Sequence, residues 1–236
     1  MNHKPLHEWN LTQAQAIALQ KELAQRIIRE DSFGEVHTIA GVDMAINEQN
    51  GLARAAVVLL SFPELEILEK HVYEEPIRME YIPGLLSFRE IPCIVGAFAQ
   101  LKQQPDMVMA DGQGIAHPRH LGIASHLGLW LDLPTIGCAK SILRGNYDEA
   151  GLSEEAGAWL PLTYRGETIA AAVRTRTRVK PMIISLGHRI SLESSIHYVL
   201  QCARGYRLPE PTRQADKLSK QNDWREPEEQ QTTLWK

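Results

Sequence analysis

A chain of 236 residues, 44% of them hydrophobic, is long enough to bury a substantial core. Its net charge of −4 excludes a protein that holds polyanions through bulk basicity, so any nucleic-acid contact must come from local clusters. The three cysteines (Cys93, Cys138 and Cys202) are dispersed and lack C-x-x-C spacing, which argues against a disulfide framework and a thiolate zinc site. No apolar h-region opens the sequence and no run reaches membrane-spanning length, so a cytoplasmic protein without membrane contact is expected.

Residues 11–30 read as a helix rich in Ala, Gln, Leu, Lys and Glu, with Gly34 closing the segment. Three strand-like runs follow at His37–Ile46, Leu52–Phe62 and Glu66–Glu75. Their short connections, Asn47–Gly51 and Pro63, favour an antiparallel meander with the first run central. Gly84–Gln103 reads as a helix despite Pro92, Asp106–Ala110 as a short buried strand, His120–Leu131 as a helix and Thr135–Cys138 as a strand. Three more β segments are expected near Trp159–Tyr164, Thr168–Val173 and Met182–Leu186, then a helix at Ser191–Ala203 and a last one at 210–221 with proline in its first turn. The whole predicts an α/β fold: one mixed sheet flanked by helices on both faces, a single domain over 1–221, and a polar, disordered tail over 222–236.

Four carboxylates stand out: Asp43, Glu90, Asp111 and Asp216. Asp43 and Asp111 each close an apolar run, and an acid there is costly to bury unless a cation meets it. In the predicted topology the strand ending at Asp111 lies beside the one carrying Asp43. Glu90 and Asp216 project from helices, so all four converge over one sheet face. Divalent metal ions shared by such acids activate a water and steady the leaving oxygen of a phosphodiester.

The words around these acids are Gly-Val-Asp-Met-Ala at 41–45, Tyr-Ile-Pro-Gly-Leu-Leu-Ser-Phe-Arg-Glu at 81–90, Asp-Gly-Gln-Gly-Ile-Ala-His-Pro-Arg-His-Leu-Gly-Ile-Ala-Ser-His-Leu-Gly at 111–128, Gly-Cys-Ala-Lys at 137–140 and Gly-His-Arg-Ile-Ser-Leu at 187–192. Together they closely resemble the endonuclease V family, deoxyinosine 3′-endonucleases with a ribonuclease-H-like fold, over roughly residues 10–220. The resemblance implies Mg2+-dependent hydrolysis (Mn2+ substituting) of the second phosphodiester 3′ to a deaminated purine in DNA, leaving a 3′-hydroxyl and a 5′-phosphate. It implies Asp43, Glu90 and Asp111 as metal ligands. Asp216, where the family has Asp or His, is implied as a fourth, and Lys140 as a cation beside the scissile phosphate or attacking water. A metal-free protein is then inactive and less stable.

An enzyme that reads a damaged base takes it out of the stack. Tyr81, Ile82 and Pro83 suit a wedge, an aromatic face followed by stiff apolar residues; spacing alone favours a buried turn before a helix with Tyr81 in the core, and the resemblance reverses that in favour of the wedge. Gly84, Leu86, Gly112, Gly122 and Ile123 match the family's base pocket. Arg89 and Arg119 either hold phosphate or pair with acids. His117 contacts substrate or orients Asp111. His117, His120 and His126 lack zinc spacing, since His120 and His126 lie six apart on a helix and face different sides. Arg174, Arg176, Arg178 and Lys180 alternate with Thr175, Thr177 and Val179, which on a strand makes a one-faced stripe, either phosphate-tracking or simply solvated. Ser191 is a good N-cap at a helix start able to take an anion. Gln231–Trp235 resembles the short peptides by which bacterial repair enzymes contact the sliding clamp. Three rivals stand beside this reading: an endonuclease acting mainly on inosine-containing RNA, a junction or transposon nuclease of the same fold, and a binding module without catalysis.

Overall fold

An apolar run buried on both faces belongs inside a sheet, and β1 (Thr38–Asn47) lies there. In this computed structural model, which describes residues 5–221 and residue 224, β1 is flanked by antiparallel β2 (Leu52–Ser61) and parallel β4 (Met107–Ala110). The remaining strands are β3 (Ile67–Pro76), β5 (Thr135–Ala139), β6 (Trp159–Tyr164), β7 (Glu167–Val173) and β8 (Met182–His188). They form one eight-stranded sheet of order β3-β2-β1-β4-β5-β8-β7-β6. The meander β1-β2-β3 followed by parallel β4 and β5 is the expected mixed, ribonuclease-H-like arrangement.

Alternation along the strands sorts two cores. Ile39, Met107, Met109, Ile136 and Cys138 point to one face, under α4 (Leu192–Gln201) and α5 (Glu210–Ser219). Ala40, Val42, Val108 and Ala110 point to the other, under α2 (Leu86–Phe98) and α3 (Ile123–Leu131). Asp43 shares the parity of Ile39 and Gly41 and therefore faces α5. Gly41 lets that helix come down: a Cβ there would lie 1.9 Å from the Pro211 carbonyl oxygen. We expect Gly41→Ala to lift the first turn of α5 from the sheet. It should cost about 3 kcal/mol, at the upper end for overpacking, and remove catalysis with it; thermal melting and a cleavage assay on the same preparation check this.

Several boundaries differ from the sequence reading. α1 spans Gln13–Ala24, started by a Thr12/Gln15 capping box, and stops six residues short of residue 30. Beyond it the backbone is taken by tertiary bonds instead: Arg189 donates to the Ile28 carbonyl at 2.7 Å, and Ser32 donates to that of Arg189 at 3.1 Å. α2 is shorter than Gly84–Gln103 at both ends. α3 begins at Ile123, because His120 adopts a left-handed φ of 55° and Gly122 is the N-cap. Residues 174–180 are not a strand: β7 ends at Val173 and Arg178 has φ 60°, so the predicted one-faced stripe does not form. Ser191 does cap α4, but the anion place at that helix start is filled by Asp31, which accepts from Ser191 N at 2.7 Å and Ser194 Oγ at 2.6 Å.

No helix among the described residues is long and apolar enough to cross a membrane. Of the predicted tail only Trp224 is described, its ring 4.5 Å from the Arg54 guanidinium; Gln231–Trp235 lies outside the described residues.

Candidate metal centre and base hollow

Register builds the site. Val42 pairs with Ala110, so Asp43 and Asp111 leave their strands side by side, and Asp111 N donates to the Val42 carbonyl at 3.2 Å. α5, seated on Gly41, adds Asp216. The carboxylate oxygens of Asp43, Asp111 and Asp216 lie within 4.8 Å of one another. Glu90 comes from α2 on the opposite face and borders the same hollow as Asp43 and Asp111. The four acids thus meet from both sides of the sheet, not over one face as the topology alone suggested.

Cations and hydroxyls hold the cluster. Lys140, just after β5, donates to Asp111 Oδ2 at 2.5 Å and Asp216 Oδ1 at 2.8 Å. Lys220 donates to Asp216 at 2.6 Å. Ser219, fully buried, donates its hydroxyl to Asp43 Oδ2 at 2.5 Å. Burial works against charge on Lys140, yet its bonds to Asp111 and Asp216 hold its pKa above the usual lysine value. Asp216 shows the mirror image, its burial outweighed by Lys140 and Lys220, so its carboxyl titrates below the usual range. Asp43 has a neutral hydroxyl for a partner, and burial with the nearby charges of Asp111 and Asp216 pushes it up to about 6. Glu90 is pushed up to about 8 by burial and by Asp43, with Arg89 opposing. Hard oxygen donors, close together and short of positive charge, fit a hard divalent cation.

The hollow beside the acids has a volume of about 190 Å³, and Leu86 and Ile123 form part of its wall. Of the other predicted pocket residues, Gly112 backs onto Ile123, while Gly122 packs against the Gln113 and Gly114 carbonyls. Gly84, at φ 80°, carries a carbonyl that accepts from buried Gln20 at 2.9 Å and from Arg119 at 2.7 Å. Arg119 also donates to Gln20, so its guanidinium pins the Gly84 turn. Just before that turn Tyr81 stands 60% exposed with Pro83 exposed and Ile82 half-buried, a rim and not the buried turn that spacing alone favoured.

Arg89 donates to Glu48 at 2.9 Å, and its buried Nε has no hydrogen-bond partner among the described residues. His117 is buried, and its Nδ1 accepts from Arg119 N at 3.2 Å. Burial and then Arg119 push it down to about 4. The side chain that reaches Asp111 is Lys140, so the expected bond from His117 is not the one that forms. His126 is buried among aromatic rings and bonds Ser87 and His7. Among the described residues the cluster able to hold a metal is the aspartate trio, not the histidines.

Sequence reasoning missed three residues. Ser219 follows Asp216 by three positions and so shares its helix face. Gly41 sits two before Asp43 on the same strand face. Gln113, inside the Asp111 motif, donates to the Ser141 carbonyl at 2.9 Å and ties that motif to the loop after Lys140.

Comparison with known proteins agrees with this geometry. The Endonuclease V family model matches residues 21–217. Endonuclease V of Gloeobacter violaceus is 54% identical over 216 residues, covering 91% of this chain and 87% of its own. The crystal structure of Endonuclease V from Bacillus subtilis is 32% identical with a TM-score of 0.88, covering 93% of this chain and 95% of that one. Endonuclease V of Ciona intestinalis, solved with a 24mer DNA containing an inosine followed by a ribo-adenosine, is 32% identical with a TM-score of 0.77, covering 87% and 95%. The match spans the strands and helices that carry all four acids, and on that evidence the chain belongs to the endonuclease V family.

Proposed function

We propose that this protein is a DNA-repair endonuclease that recognises a deaminated purine, hypoxanthine in deoxyinosine, and hydrolyses the second phosphodiester on its 3′ side. The observation that carries the reading is the aspartate trio within 4.8 Å, bordered by Glu90, opening on a hollow walled by Leu86 and Ile123. A base and a phosphodiester bond need such neighbouring but distinct places. The comparison proteins support it, one of them holding inosine-containing DNA.

Asp43, Asp111 and Glu90, joined by Asp216, would hold the divalent cation, Mg2+ with Mn2+ able to replace it. When bound, that ion supplies a water of lowered pKa and positive charge for the departing oxygen. The protein's own groups do the rest. Lys140, the charged donor that bridges Asp111 and Asp216, is placed to hold the scissile phosphate or the attacking water. Ser219 fixes which Asp43 oxygen is turned to the site. Tyr81, Ile82 and Pro83 fill the gap left by the flipped base. Leu86 and Ile123 sandwich it, and the backbone at Gly84, Gly112 and Gly122 reads the carbonyl and ring N–H that distinguish hypoxanthine from adenine. Arg89, whose Nε has no partner among the described residues, and Arg119 and His117, beside the Gly84 turn, complete the contacts to substrate.

The test is a labelled duplex with a single inosine, incubated with Mg2+, with Mn2+ and with chelator. One nick two phosphodiesters 3′ of the inosine, dependent on metal and absent from the adenine control, is the expected result. Cutting of the control at the same rate, or cutting in chelator, would refute the assignment.

A further inference from the structure

Lys140 belongs to two places at once. Its ammonium lies among the acids, while its residue also forms the near wall of a second, larger groove of about 490 Å³. Four more cations line that groove: Arg174, Arg178, Lys180 and Arg207. Two of them are held rigidly and without neutralisation, because their bonds go to carbonyls. Arg207 donates to the carbonyls of Lys140 at 2.5 Å, Lys180 at 2.9 Å and Pro181 at 3.0 Å. Arg174 donates to those of Ser153 at 2.6 Å and Val179 at 2.5 Å. Arg178 and Lys180 are exposed, Arg178 standing 3.4 Å from Glu154. With Lys140 engaged by Asp111 and Asp216, four cations thus face two carboxylates, Glu149 and Glu154, in a chain whose overall charge is −4. Tyr147 contributes a half-buried aromatic wall, and exposed Ile142 stands at the loop edge. Preorganised positive charge beside an aromatic and an aliphatic surface suits a nucleic-acid single strand, whose phosphates and bases need the two kinds of contact.

The order of the parts gives the strand a direction. The hollow is lined from β1, β4, α2 and α3, while Lys140 and its groove follow in sheet order, at the ends of β5, β8 and β7. The proposed reaction cuts 3′ of the damaged base, so a strand with its base in the hollow and its scissile bond at the acids must leave past Lys140. We propose that this groove binds the nucleotides 3′ of the cut. The inference rests on the function proposed above.

Its test uses the full chain in chelator and fluorescent single-stranded oligonucleotides with one inosine, identical on the 5′ side and carrying either two or ten nucleotides beyond the cut position. Wild type should bind the longer one about tenfold more tightly, through added phosphate contacts. The R178S/K180S protein, which spares the guanidiniums that hold the loops together, should bind both about equally. Its log Kd against log salt slope on the longer strand should fall by about 1 to 1.5. An unchanged advantage for the longer strand would overturn the groove assignment, as would equal weakening on both strands. A wild-type protein that does not cut inosine substrates once Mg2+ is restored would instead refute the function itself.

Discussion

Asp43→Ala protein should bind an inosine duplex within a few-fold of wild type and cut it at least about 10³-fold more slowly, since several kcal/mol of transition-state stabilisation disappear with the ligand oxygen. Binding should survive because the proposed wedge, most of the hollow's wall and the basic groove are built from other residues. A second signature separates this from simple misfolding. In the metal-free protein the Asp43 carboxyl is pushed up to about 6 by burial and by Asp111 and Asp216. Its charge therefore opposes folding at neutral pH, and the alanine protein should melt no lower than wild type in chelator. Only wild type should gain stability from added Mg2+, by about 2.7 kcal/mol when the ion is at a hundredfold its dissociation constant. Cleavage assays and melting curves with and without Mg2+ read both effects; cutting at the wild-type rate would mean that the ligands are misassigned.

Metal-free wild type should also lose stability as the pH rises from 7 to 8.5, through Glu90. Its carboxyl ionises near its ordinary value of 4.5 in the unfolded chain and near about 8 in the fold. Across this window the unfolded state holds fewer protons, so raising the pH favours unfolding until the folded group has also ionised. About one unit of the difference remains to be lost above pH 7, on the order of 1 to 1.5 kcal/mol or roughly 4 °C of melting temperature. Glu90 dominates the lower part of this window. Half-buried His7 and buried His117, His126 and His188 are all held below the usual histidine value and are largely neutral in both states above pH 7. The Asp43 transition lies below it, and the cysteine thiols, pushed up by burial, add to the loss only toward its upper end, a share that the Glu90→Gln protein reads alone. Glu90→Gln should flatten the slope. Excess Mg2+ should reverse it in wild type, because the ion competes with the proton for the same oxygens. A flat metal-free profile in wild type would show that Glu90 is not buried beside Asp43.

What the sequence made legible follows from how local each feature is. The strands of the meander were readable because apolar runs and short Asn/Gly turns are local, and Asp43 and Asp111 because an acid closing such a run is conspicuous. The second half of the site was legible only through the resemblance of its motifs. Asp216 reaches the trio because Gly41, far away in the chain, lets α5 sit directly on β1, and no local pattern announces that contact. The length of α1 was misread because its composition favours helix, while residues 28–32 find better partners in the Arg189 backbone. The alternating arginines at 174–178 imitate a strand, but the Arg174 guanidinium bonds the Ser153 and Val179 carbonyls and holds the segment as a loop. Arg119 reads as holding phosphate or pairing with an acid; in the fold its guanidinium bonds Gln20 and the Gly84 carbonyl, partners that no local pattern announces.

The convergence of acids from both faces of the sheet onto one cation is the premise on which the metal chemistry stands. Anomalous diffraction from crystals soaked in Mn2+ addresses it directly. The account predicts a peak bounded by the Asp43 and Asp111 carboxylates, with Glu90 or Asp216 completing the oxygen shell. Mn2+ bound only elsewhere, with Lys140 still bridging Asp111 and Asp216, would contradict it.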